Sequence, residues 1–306
     1  MHSTFARYLC INKVVSIMRR GVGKRMTARP ERVAAEEVRQ RMLDAGRELA
    51  LEVGAALTIE HLRLEEVIQR ARVPRSSVYR MWPHREEYID DLLCYLGGTG
   101  SWFSERPVLD PETLADIKQV LDENARLLST LEGRRALLCE IIRVTVIRNY
   151  ATFTESTQWR LHMALVSTLG STRSGEARNR IAAALEASQR GSREAMAAVL
   201  GQLATLVGLR PRDPAYTLDH LALAGGLLVQ ALALRNVQIQ AAVGAPEGPG
   251  MASASDRAIV DSLLNTPMPG PGLHGQPADW PLVSFAYLGV LDAFMELDPD
   301  FPASAA

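Results

Sequence analysis

The side chains best suited to chemistry in this chain are arginines and hydroxyls set close together. They fall in the run Arg72-Val73-Pro74-Arg75-Ser76-Ser77-Val78-Tyr79-Arg80-Met81-Trp82-Pro83-His84-Arg85. An arginine fork donates bidentately to guanine O6 and N7, and each such pair discriminates between bases by ~1–3 kcal/mol. Phosphate oxygens suit the same donors. The competing account of each arginine is a solvated surface charge.

Catalytic patterns are poorly represented. Gly270-Pro-Gly272-Leu-His-Gly275 matches G-x-G-x-x-G in letters, but it lies in a proline-rich stretch without a preceding strand and cannot build the turn that grips a pyrophosphate. The sequence contains no P-loop, no G-x-S-x-G and no H-E-x-x-H. Its six histidines (His2, His61, His84, His162, His220, His274) lack metal-ligand spacing with Cys or carboxylates. The expectation is therefore no catalytic residues, no metal, no cofactor and no enzymatic activity. An all-α enzyme with an unseen tertiary constellation is the weakest of three readings.

Composition frames these residues. The 306 residues are 47% hydrophobic and 23% charged, an ordinary globular balance. The length suggests two domains at ~150 residues each. The three cysteines are widely spaced, which fits a reducing compartment. The apolar stretch Leu221–Leu234 is interrupted by Gln230 and falls short of the ~18 residues of a membrane span. The chain therefore reads as cytoplasmic with no membrane partner. Residues 1–100 hold 17 Lys/Arg against 13 Asp/Glu, and the remainder 17 against 22. A basic head on an acidic body suits a polyanion partner, although a solvated basic tail gives the same balance. Residues 1–30 form that tail. It can track phosphates or reach a minor groove, but the change of style at Met26 points to a natural start there and an extension before it.

Helical periodicity predominates. Val38, Met42, Ala45, Leu49 and Val53 define a helix over 31–53, between Pro30 and Gly54. Short helices follow from about Arg63 to Arg70, from Pro74, and after Pro83 to Gly97. Beyond Gly100 the pattern predicts helices around Leu114–Leu128, Leu138–Val146, Trp159–Leu169, 176–207, 215–243 and 282–297. The Gly-, Pro- and Ser-rich stretch 244–281 reads as a long flexible loop. No strand is expected, so the fold class is all-α: a helix-turn-helix head over 31–97 and a larger helical body over 98–306.

Val67 and Ala71 can pack against Val73 and Val78 across a tight turn, which is the arrangement that presents a second helix to the major groove. Ala71-Arg72-Val73-Pro74, then Val78-Tyr79-Arg80-Met81-Trp82, then Pro83-His84-Arg85-Glu86 resemble the signature of TetR/AcrR transcriptional regulators over about residues 38–96. The sequence departs from that pattern at four places. Arg72 stands where the family has its turn glycine, Pro74 where it has a capping serine, and bulky Ile68 where it has a small residue. Four extra residues, about Thr58–His61, lengthen the first connection.

The resemblance implies a repressor that binds a palindromic operator in double-stranded DNA as a homodimer and is released by a small-molecule effector. The implied DNA-facing set is Arg75, Ser76, Ser77, Tyr79, Arg80, His84 and Arg85. Tyr79 would direct its hydroxyl to a phosphate, and Arg85 would join the free N–H groups of the fourth helix in an anion site. Trp82 reads as core. Trp159, His162 and Met163 are the candidate effector contacts, against the competing account of a core helix with one satisfied histidine. Helices 176–207 and 215–237 would supply the dimer interface, where Ala222, Ala224, Gly225, Gly226 and Ala233 permit close approach. The second reading is a helical ligand-binding or protein-interaction module whose degenerate helix-turn-helix no longer reads DNA.

Overall fold

Helix α1 (Pro30–Val53) starts at a proline, which is tolerated in a first turn because that N–H lacks an intrahelical acceptor. Two short helices follow, α2 (Leu64–Ala71) and α3 (Arg75–Met81), then α4 (Arg85–Gly97) and the single turn α5 (Trp102–Glu105). Further along come α6 (Pro111–Glu123), α7 (Leu131–Glu155), α8 (Thr157–Thr168), α9 (Gly175–Val207), α10 (Leu218–Ala242) and α11 (Leu282–Phe294). The computed structural model describes residues 30–53, 59, 62–169, 175–242 and 261–301. The chain is mostly helical with minor strands.

The strands correct the all-α expectation. Strands β1 (Leu209–Pro211) and β4 (Met295–Leu297) pair antiparallel, Leu209 opposite Leu297. Strands β2 (Met268–Pro271) and β3 (Pro277–Trp280) form a hairpin, Met268 opposite Trp280. The stretch read as a 244–281 loop is thus structured in its later part, with residues 261–265 helical as well. Prolines are accommodated in the hairpin because each of its two strands is an edge strand with one unpaired side. The closing helix stops at Phe294, where Met295 turns extended (φ −126, ψ 155) to join β1. The basic tail, the proposed start at Met26 and most of the Thr58–His61 insertion lie outside the described residues.

The chain divides into two compact units that interleave in sequence. The first comprises the described parts of Val22–Val108 and Ser156–Ser192, the second those of Leu109–Glu155 and Arg193–Ala306. Residues 98–108 and 156–192 thus fall in the same unit as residues 31–97.

In the first unit Met42 and Leu49 of α1, Val67 and Ile68 of α2, Val78 of α3, Leu92 of α4 and Leu161 of α8 share one hydrophobic cluster. Burying each such side chain is worth ~1.5–3 kcal/mol. Gly46 lets α4 close on α1, since a Cβ there would strike the Tyr88 hydroxyl. That hydroxyl donates to the Met42 carbonyl at 3.0 Å. Asp91 adds a polar clasp: it accepts from Trp82 Nε1 at 2.9 Å, Arg39 at 2.8 Å and Arg180 at 2.6 Å. Trp82 is buried, in agreement with its reading as core.

In the second unit Asp110 caps α6, accepting from the Thr113 N–H at 2.8 Å and its hydroxyl at 2.7 Å. Helix α7 carries buried residues on several sides, among them Leu137, Leu138, Ile141 and Ile142. It packs against α6, α10 and α11. Arg134, at the start of α7, is buried and donates to the carbonyls of Val207 (3.0 Å) and Asp298 (2.8 Å). Its guanidinium also lies 5.1 Å from the Phe301 ring centroid.

Candidate nucleic-acid interface

The geometry of α2 and α3 follows from the turn between them. Arg72 ends α2 in the left-handed region (φ 52, ψ 48), the conformation a glycine adopts without penalty. A side chain there costs roughly 1 kcal/mol. Pro74, extended at φ −65, precedes α3 and offers no side-chain cap. Val73 and Val78 are buried, and Val67 and Ile68 complete the apolar seam. Bulky Ile68 fits because it points into the core.

Locking Val78 inward leaves Arg75, Ser76, Tyr79 and Arg80 exposed, while Ser77 is half-buried. Arg75 and Tyr79 stand one turn apart and meet one carboxylate, Glu65 of α2. Tyr79 Oη donates to Glu65 Oε1 at 2.8 Å, and Arg75 Nη2 pairs with Glu65 Oε2. The tyrosine is 45% exposed, so its ring is only partly packed on the head. Its hydroxyl titrates above the ordinary tyrosine value, chiefly because ionisation would forfeit the bond to Glu65 and set two negative charges together.

His84 is exposed at the start of α4 and caps nothing with its ring. Arg85 is half-buried, and its Nε donates to the Leu62 carbonyl at 3.0 Å, tying the start of α4 to the approach of α2. The first turn of α4 also carries Glu86 and Glu87, both exposed. These already complement the positive helix end that was expected to hold a phosphate. The structure therefore groups Arg75, Ser76, Tyr79 and Arg80 on one face, while Arg85 has a structural tie.

Sequence reading missed Glu65. It sits ten and fourteen residues from the groups it joins, and only the angle between α2 and α3 brings them together. An acid in the first turn of α2 facing a basic α3 was the available signal.

The candidate effector contacts are packed side chains. Trp159 and His162 are buried and Met163 half-buried. The His162 ring meets Phe103 edge-on at 4.9 Å between centroids, and its Nε2 lies 3.1 Å from Gln189 Nε2. With the Gln189 amide as donor, the ring proton sits on Nδ1, which is buried without a hydrogen-bond partner. Burial pushes the His162 pKa down to about 4, so the ring is neutral near pH 7. In the second unit a groove of about 400 Å³ is lined by Asp116, Arg143, Val144, Ile147, Arg148 and Ala151. Its arginines are engaged: Arg148 pairs with Asp116 and Glu112, and Arg143 with Glu140.

Three of the five small residues assigned to a dimer interface face inward. Ala222, Gly225 and Ala233 are buried, and a Cβ on Gly225 would strike the Tyr287 ring. Gly225 thereby lets α11 approach α10 within the second unit. Exposed instead are Leu223 (48%) and Leu227 (57%) on α10, and Phe285 (41%) on α11. Leu218–Ala241 is long and apolar enough to cross a membrane by length and composition. The expectation that no stretch of the chain reaches that length is therefore corrected: Gln230, polar but uncharged, interrupts the apolar letters without ending the helix. Among the described residues no three His, Cys, Asp or Glu side chains gather as a metal site. No protein-family model and no curated protein matches the chain.

Proposed function

We propose that the chain is a ligand-responsive DNA-binding transcriptional regulator, a repressor acting in the cytoplasm. It binds a palindromic operator as a homodimer and is released by a small-molecule effector. The observation that carries this reading is α3: a short helix fixed on α2 by Val78, with Arg75, Ser76, Tyr79 and Arg80 on its solvent face. A helix of that kind fits the major groove, which is about 12 Å wide, and arginine there reads guanine edges.

The apolar face of α10 and α11 supports a two-fold dimer, since Leu223, Leu227 and Phe285 call for an apolar partner and an isologous pair supplies one. Half-sites then lie about 34–36 Å apart or a small multiple of that. The groove along α6 and α7 falls within the size range of small-molecule sites. An effector acts by favouring a conformer that docks poorly on DNA, and linkage requires DNA to weaken the effector by the same factor.

The test is selection from a random duplex pool at physiological salt, with Arg75→Ala in parallel. A palindrome is expected, and the variant is expected to lose preference at one position per half-site. The pairing of Arg75 and Tyr79 with Glu65 favours the second reading, a helical interaction module whose α3 no longer reads DNA. Failure to enrich any sequence selects that reading.

A further inference from the structure

We infer that Glu65 is a specificity-determining residue of this head, one that restrains contacts to the DNA backbone while leaving base contacts open. The inference rests on the DNA-binding reading above. Its basis is one carboxylate that engages both Tyr79, at 2.8 Å, and Arg75. The side chains of Arg75 and Glu65 are 65% and 44% exposed while Glu65 Oε2 itself is covered, so a phosphate reaches the pair from the Arg75 side.

A phosphate offers Arg75 and Tyr79 the same anionic acceptors that Glu65 already supplies. Exchanging one for the other gains little and leaves the Glu65 carboxylate beside DNA anions. A guanine edge is different because it carries no net charge to collide with Glu65. A guanidinium has five N–H donors, and Glu65 meets Arg75 through Nη2. The rest of the fork is free to be aimed at O6 and N7. Glu65 thus penalises sequence-independent binding more than base readout, and it steers the arginine.

The experiment compares wild type, Glu65→Gln and Glu66→Gln. Glu66 is the exposed neighbour on α2, and its change removes the same charge. Fluorescence anisotropy follows binding to a mixed-sequence duplex and to the duplex enriched by selection, between about 50 and about 200 mM salt. Glu65→Gln is expected to bind the mixed duplex about three- to tenfold more tightly, with a salt slope steeper by about one phosphate contact. The gain on the enriched duplex is expected to be smaller, so the specificity ratio falls. Glu65→Ala, which also removes the residual bond to Tyr79, moves in the same direction, and thermal melts establish that each variant folds. Equal affinity and slope in wild type and Glu65→Gln overturn the inference while the DNA reading stands. An identical gain from Glu66→Gln also overturns it, because net charge alone then accounts for the effect. If no chain binds DNA at the lowest salt, the DNA reading falls and the inference with it.

Discussion

His162 ties a single buried ring to the acid stability of the whole first unit. Its pKa is pushed from 6.5 to about 4 by burial, so the folded chain holds it neutral while the unfolded chain takes up a proton below pH 6.5. Stability from neutral burial is complete above about pH 6.5 and is lost as pH falls toward 4, a loss of about 3 kcal/mol in all. Urea unfolding at pH 7 and pH 4.5 should therefore show a larger drop in wild type than in His162→Met. Equal drops in both chains would exclude the ring as the source. Asp110 and Glu52, whose pKa values are lowered, contribute to acid loss in both chains and cancel in the comparison. The sequence marked His162 through its apolar neighbours Trp159 and Met163 but left open whether it met a ligand or the core. In the structure the ring packs against Phe103 and lies beside Gln189, both remote in sequence.

At the scale of elements, Arg134 joins the start of α7 to the end of α9 and to the segment after β4. Its two carbonyl acceptors are Val207, the last residue of α9, and Asp298. A cation at a helix C-terminus also complements the helix dipole. Arg134→Met fills similar volume but orphans both carbonyls, and the expected cost is about 2–4 kcal/mol in chemical denaturation. Arg134→Lys keeps the charge without the fork and should recover less than half of that. A melting point unchanged in Arg134→Met would show that these bonds are replaced by water. The long helices were legible because their apolar periodicity runs for several turns. The strands were not: three or four residues are too few to show alternation, and Met295-Glu296-Leu297 continues the apolar pattern of α11. What ends the helix there is pairing with Leu209–Pro211, a partner almost ninety residues earlier. The left-handed turn at Arg72 was foreseeable from the resemblance, which implies a turn glycine at that position.

At the scale of the whole molecule, the exposed leucines of α10 set the expected state of association. In a two-fold dimer each substitution enters the interface twice. Leu227→Glu should therefore weaken self-association about 100-fold or more, by losing buried apolar area and adding a desolvated charge. Sedimentation velocity across a concentration series checks this, with the wild type expected as a dimer at micromolar protein and the variant as a monomer. The same face makes thermal stability rise with protein concentration in wild type but not in the variant. A monomeric wild type over that range removes the dimer from the proposal. Exposed apolar positions were not legible in sequence because α10 is apolar on nearly every face. Only the seat of Tyr287 against Gly225 reveals which side is turned inward.

The Arg134 tie also orders events during synthesis. Its donors emerge from the ribosome early, yet the Asp298 carbonyl lies 164 residues downstream. Arg134 finds its first acceptor, the Val207 carbonyl, 73 residues downstream and its second only at Asp298, so the tie closes in two stages. The Arg134 tie is consequently complete only once Asp298 has been made. A nascent chain stalled before residue 295 would lack both the β4 partner of Leu209–Pro211 and the Asp298 acceptor.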